Sequence, residues 1–179
     1  MKNKRGVSEI IGYVLLIAIV VVISIFVYQW LKSYVPQSAL TCPDGTAVSI
    51  SNYKYNCAAN ANNLSFTLSN DGTFSIAGYF IHASNNSNQT IATIDLSNYY
   101  TGPGDNGGGS ILLGAGNNLE PGQDEGIGRN TFNLSMTPAI KTGTLTELEV
   151  IPIRYVEYNG KQRVANCGNA KISISLSCN

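Results

Sequence analysis

Twenty-two consecutive residues, Ile10 to Leu31, carry no formal charge and are mostly isoleucine, valine and leucine. A bilayer core about 30 Å thick needs roughly 20 helical residues to cross it, so this stretch is long enough to span. Lys2, Lys4 and Arg5 precede it and Lys32 follows it. The basic excess on the N-terminal side keeps the short N-terminus in the cytoplasm and places everything after Lys32 outside the cell. The apolar residues do not form one stripe. Ile11, Leu15, Ile19, Val22 and Phe26 share one side of a helix, while Val14, Ile17, Val21 and Ile25 lie on another. A helix apolar all round needs burial on every side, by lipid or by neighbouring helices.

The run is too long for the apolar part of an ordinary signal peptide, typically about 7–15 residues. It also ends in bulky aromatics, Phe26, Tyr28, Trp30 and Tyr34, with no convincing pair of small residues to mark a cut there. The segment is therefore expected to be retained. Ser8 is the expected N-cap, with Glu9 in the first turn where a negative charge meets the positive helix end. Val35-Pro36 ends the helix, because the residue before proline is pushed out of helical geometry. Val7 to Tyr34 then makes a helix about 42 Å long at 1.5 Å per residue, with Tyr28, Trp30 and Tyr34 near the outer interface.

The junction Lys4-Arg5-Gly6-Val7-Ser8-Glu9-Ile10-Ile11-Gly12 resembles the leader of archaeal type IV pilins. The resemblance covers about the first 35 residues. It implies a leader, residues 1–6, removed by a membrane prepilin peptidase between Gly6 and Val7, with Arg5 and Gly6 flanking the cut. Residues 7–35 would anchor the precursor in the membrane and later form the filament core, and residues 36–179 would form the extracellular head. A homopolymeric filament, an assembly ATPase and a membrane platform protein are the implied partners, and adhesion is the implied use. Bacterial relatives place Glu at the fifth mature position, whereas Glu9 is the third here. Glu9 has two readings: a helix-start charge at the membrane edge, or a partner for the new amino group of Val7 on a neighbouring subunit. Pairing would favour correct register, because an unpaired carboxylate is costly in an apolar core.

After Pro36 the pattern changes to short alternating runs separated by Gly, Asn and Asp. Strands are expected at Ala47–Tyr55, Leu64–Ser69, Phe74–Ala83, Thr90–Leu96, Ser110–Leu113, Leu145–Tyr158 and Ala170–Ser177. Pro152 suggests an edge position or a bulge within its strand. Asn159-Gly160 is a strong hairpin signal. The expected fold class is α+β: a long hydrophobic N-terminal helix followed by an all-β, immunoglobulin-like sandwich head. The phrase from Asn62 to Ala83 and the Leu119-Glu120-Pro121-Gly122 turn also resemble the β heads of archaeal pilins. The charges divide with the architecture, at +3 over the first 35 residues and −3 over the rest, in a chain that is neutral as a whole. Nothing in that balance points to nucleic acid.

Four Asn-x-Ser/Thr triplets begin at Asn63, Asn85, Asn88 and Asn133. An Asn- and Ser-rich chain makes such triplets by chance, but an outward-facing domain is expected to carry a glycan on at least one. Asn85 and Asn88 share a loop and are the favoured sites, whereas Asn63 and Asn133 border strands and are expected to be partly shielded. The four cysteines, Cys42, Cys57, Cys167 and Cys178, contain no C-x-x-C pair, and an outside location favours disulfides over zinc. Three pairings are possible. One extended strand between Cys167 and Cys178 would separate them by roughly 30 Å, too far for a bridge whose Cα atoms must approach within about 7 Å. The same objection applies to Cys42 with Cys57, so the bridges should join the first head strand to the last. If those strands are antiparallel neighbours, the pairs are Cys42–Cys178 and Cys57–Cys167.

No catalytic set, cofactor or metal is expected. Gly102-Pro103-Gly104-Asp105-Asn106-Gly107 matches the dinucleotide fingerprint formally, but Gly108-Gly109 follow, and a loop is the simpler reading. An irregular calcium site on Asp105 is the one metal reading left open. His82 sits in a strand pattern without a placed nucleophile. The pairs Asp124-Glu125 and Glu147/Glu149 read as solvated surface. The alternative to a filament subunit is a monomeric, signal-anchored surface binding domain. A third reading is an anchored solute- or glycan-binding module using the loop Thr101–Ser110.

Overall fold

The computed structural model describes residues 4–34, 40–58, 62–104, 107–136, 144–158 and 160–178, with backbone only at 4–9, 34, 107, 127 and 136. Two compact units divide the chain, Met1–Ala39 and Leu40–Asn179. The first holds one helix, α1 (Lys4–Tyr34). It begins ahead of Val7, so Ser8 lies inside the helix and is not its N-cap. Lys4 and Arg5 are good helix formers, and the single Gly6 disfavours the first turn by only about 1 kcal/mol.

The second unit is a head of two curled antiparallel sheets, so the chain has the expected α+β class. In chain order its strands are β1 (Val48–Asn56), β2 (Asn63–Asn70), β3 (Gly78–Ser84), β4 (Ile94–Asp95), β5 (Ser110–Leu112), β6 (Asp124–Asn133), β7 (Glu147–Tyr158), β8 (Lys161–Asn166) and β9 (Ile172–Ser175). One sheet has the order β1-β2-β6, and the other runs β4-β3-β7-β8 with β5 beside β3 and β9 beside β7. Inward residues of the two sheets form the core, with Tyr55, Leu64, Phe66, Leu68, Tyr79, Ile81, Phe132, Leu148 and Val150 all fully buried. Phe66 stacks on Phe132 at 5.9 Å between ring centroids and meets Tyr79 at 6.1 Å.

Several expectations need correction. The strand expected from Phe74 begins at Gly78, and Ile76 before it makes an isolated bridge to Leu119. Only Ile94–Asp95 of the Thr90–Leu96 segment is strand. β6 carries no alternation strong enough to announce it: Gly126, Gly128 and three charged residues interrupt it. Its register against β2 shifts between Phe66 and Leu68, whose partners are Asn130 and Glu125. The buried Asn130 closes that bulge by donating to the Glu125 carbonyl at 2.9 Å and accepts the Tyr79 hydroxyl at 2.7 Å.

Pro152 is neither on an edge strand nor in a bulge. β7 is internal, paired to β3 on one side; on the other, β9 covers Glu147–Val150 and β8 covers Ile153–Tyr158. The Pro152 carbonyl accepts the Cys167 N–H at 3.0 Å, so its ring nitrogen faces the junction where β8 gives way to β9. A ladder donor is dispensable there, because N–H and C=O of one strand residue point the same way.

The disulfides are Cys42–Cys167 and Cys57–Cys178, with Cα separations of 5.0 and 5.6 Å, and not the expected Cys42–Cys178 and Cys57–Cys167. The bridges do tie the region of the first head strand to that of the last. The error lies in the relation of those strands. β1 pairs with β2 and β9 with β7, so they are not ladder neighbours. Cys42 and Cys167 precede β1 and β9, while Cys57 and Cys178 follow them. The two strands therefore run the same way in facing sheets, and like ends are joined.

Candidate functional site: an uncovered apolar helix and a row of surface asparagines

α1 leaves the apolar side chains described on it open on all faces. Every described side chain from Ile10 to Ser33 is exposed, Phe26 by as much as 69%. Among the described residues, Ile10–Ser33 is the one helix long and apolar enough to cross a membrane. Two of its serine hydroxyls are satisfied within the helix. Ser24 donates its hydroxyl to the Val20 carbonyl at 2.7 Å, and Ser33 donates to the Trp30 carbonyl at 2.7 Å. A hydroxyl satisfied within its own helix carries little cost when water is removed. A Cβ on Gly12 would touch nothing, so another chain can approach the backbone closely at that level. Arg5, Gly6, Val7 and Glu9 lie on the first turns of α1, and their side chains fall outside the described set.

The head has two ends that differ in character. At one end, Thr41 bridges to Asn166 and Cys42 is bonded to Cys167. Here two segments singled out in the sequence meet. The buried Asn70 side chain donates to the Phe74 carbonyl at 3.0 Å and the Leu119 carbonyl at 2.9 Å, and accepts the Gly72 N–H at 3.1 Å. Pro121 and Gly122 occupy the centre of a type II turn: Gln123 N–H bonds to Glu120 O at 3.0 Å, and Gly122 has φ 77°, a value that favours glycine at the third turn position.

The other end holds Cys57–Cys178 and all four glycosylation triplets. Asn56, Asn63 and Asn133 are direct cross-strand partners in a row over β1, β2 and β6. Asn85 follows Ser84, whose β7 partner is Glu147 beside Ser175 of β9. Asn63, Asn85, Asn88 and Asn133 are all exposed. The shielding expected at Asn63 and Asn133 is absent, because Leu64 and Phe132 take the inward positions and the asparagines beside them point outward. An open cleft of about 410 Å³ adjoins this pair, lined by Asn62, Thr101, Thr131 and Ser135 among others.

The remaining candidates separate. His82 is half-buried on β3, in register with Asp95 on one side and Glu149 on the other. Glu149 is not solvated surface: only 7% exposed, it is ion-paired with Lys171 at 3.0 Å. β9 and the turn before it bring Lys171 over β7, a non-local arrangement invisible to pattern reading. Glu125 pairs with Arg129 at 3.2 Å across the β6 bulge. Asp105 and Asn106 lie outside the described residues. Among those described, no group of three His, Cys, Asp or Glu residues is placed to hold a metal. The Gly-rich loop leads through a short 3₁₀ turn into β5 rather than into an α-helix, so the dinucleotide fingerprint has none of its required context. The Tyr100 hydroxyl donates to the Pro103 carbonyl at 2.8 Å at the start of that loop. Burial pushes the Tyr79 phenol well above its ordinary range, with Tyr100 and Glu125 adding to the effect. It also raises Tyr100, against an opposing pull from Arg129.

No protein-family model matches the chain, and no curated protein or solved structure matches it significantly.

Proposed function

We propose that this chain is the structural subunit of a type IV pilus-like surface filament of archaea, processed between Gly6 and Val7 and assembled through α1. The observation that carries the reading is the apolar helix, uncovered on every side within its unit, followed by a disulfide-bonded β head. Such a helix requires burial all round, and lipid before assembly and sister helices afterwards supply it in turn. The basic leader ending in Gly6 suits a prepilin peptidase, and an assembly ATPase and a membrane platform protein drive extraction from the bilayer. The heads face the outside and serve adhesion. The role is structural rather than enzymatic, and it involves no cofactor.

The length of Ile10–Ser33 also favours a second reading, a monomeric surface domain permanently anchored by α1. N-terminal sequencing of the protein recovered from its native cell surface separates the two. A start at Val7 supports the filament subunit. A retained Met1 or Lys2 rejects it in favour of the anchored domain.

A further inference from the structure

We infer that Asn63 and Asn133 form a single attachment site for an N-linked glycan, filled at only one of the two in any one molecule. The inference rests on the outward-facing reading of the head and adds which positions are used and how they limit each other.

Each residue begins an Asn-x-Ser triplet, and the triplets lie 70 residues apart in the chain. Nothing local relates them. The β2–β6 register sets Asn63 directly opposite Asn133, with Leu64 opposite Phe132 in the next, inward-facing pair. Directly opposed residues of an antiparallel pair share a face, with Cβ atoms about 4.5–5.5 Å apart. That gap is narrower than a substituted pyranose ring, so a sugar on either amide covers the other. Asn56 closes the opposite flank of Asn63 in the same row. The cleft of about 410 Å³ beside the pair offers the first sugar a polar bed of Asn62, Thr101, Thr131 and Ser135. Asn85 and Asn88 differ: they sit on an exposed bend outside any ladder, where the Asn88 N–H donates to Asn86 Oδ1 at 3.0 Å.

The co-reactant is an oligosaccharide carried on a polyisoprenyl phosphate, delivered by a membrane transferase on the outer face. The asparagine amide nitrogen attacks the anomeric carbon. A C–N bond forms, the C–O bond to phosphate breaks, the amide proton passes to a base of the transferase, and the lipid phosphate departs. No electron transfer is involved.

Intact mass and glycopeptide mapping of the full chain from its native cell surface test the inference, using wild type, Asn63→Gln, Asn133→Gln and the double variant. Wild type and both single variants should carry the same number of glycans, and the double variant one fewer. The two single variants alone decide the matter if the double variant fails to fold. A molecule bearing sugar at both residues overturns the inference, as does carbohydrate at Asn85 or Asn88 with none at either member; both outcomes leave the outward-facing reading standing. Carbohydrate at none of the four overturns the inference, while the filament reading is decided separately by the N-terminal residue.

Discussion

The Tyr55 hydroxyl accepts the backbone N–H of Leu145 at 2.9 Å, linking β1 of one sheet to the segment that enters β7 of the other. Both residues are buried. Tyr55→Phe keeps the ring and leaves that N–H without a partner, which costs about 1–3 kcal/mol. Denaturant titration with the disulfides intact should show a lower midpoint and an unchanged slope. A midpoint equal to wild type would mean that the contact contributes nothing.

Burial of Tyr79 opposes ionisation of its phenol, so the head should lose stability in alkali. An unfolded tyrosine titrates near pH 10, whereas burial holds Tyr79 well above that in the fold, where its hydroxyl donates to Asn130 Oδ1. Above about pH 10 the folded state therefore binds more protons than the unfolded one, and stability falls as pH rises from there toward the folded value. Tyr100 is raised as well and adds to the same slope. Tyr79→Phe should be less stable than wild type near neutrality, by about 1–3 kcal/mol, because the buried Asn130 Oδ1 loses its donor. It should also lose less stability between about pH 8 and pH 10.5. Denaturation midpoints at the two pH values check both expectations.

The two disulfides should differ in accessibility. Cys42 and Cys167 are buried, whereas Cys178 is exposed and Cys57 half-buried. Mild reductant followed by alkylation and mass mapping should label Cys57 and Cys178 first and Cys42 and Cys167 only on unfolding. Each bridge closes a loop of more than 100 residues, at sequence separations of 121 and 125, worth up to about 4–5 kcal/mol in the chain-entropy model. Removing either pair by Cys→Ser should lower the unfolding midpoint substantially. Simultaneous labelling of all four cysteines would show that the two ends open together.

Glu9→Gln tests assembly apart from processing. On the reading in which Glu9 pairs with the Val7 amino group of a neighbouring subunit, the variant should be cut after Gly6 and remain in the membrane, with filament yield reduced at least several-fold. Normal filament yield would assign Glu9 to the membrane edge alone.

Much of the secondary structure was legible in the sequence because it is written in local patterns. α1 follows from an unbroken apolar run, β2 from strict alternation at Leu64–Ser69, and the β7–β8 hairpin from Asn159-Gly160. β6 escaped notice because its strand character depends on pairing with β2 and on the Asn130 side chain that closes its bulge. Neither feature leaves a periodic trace in the residues themselves.

The sequence by itself determined that this chain has an apolar helix in need of all-round burial, a cysteine-bearing β head, and bridges joining the first head strand to the last. Those conclusions rest on composition and chain geometry, which act over a few neighbouring residues. Only the tertiary structure decided which cysteines bond, because the relative direction of β1 and β9 depends on how two sheets stack. It alone set Asn63 opposite Asn133 and Lys171 against Glu149. Such pairings are fixed by strand register and sheet order, non-local quantities that arise when the core formed by Tyr55, Phe66, Tyr79 and Phe132 closes.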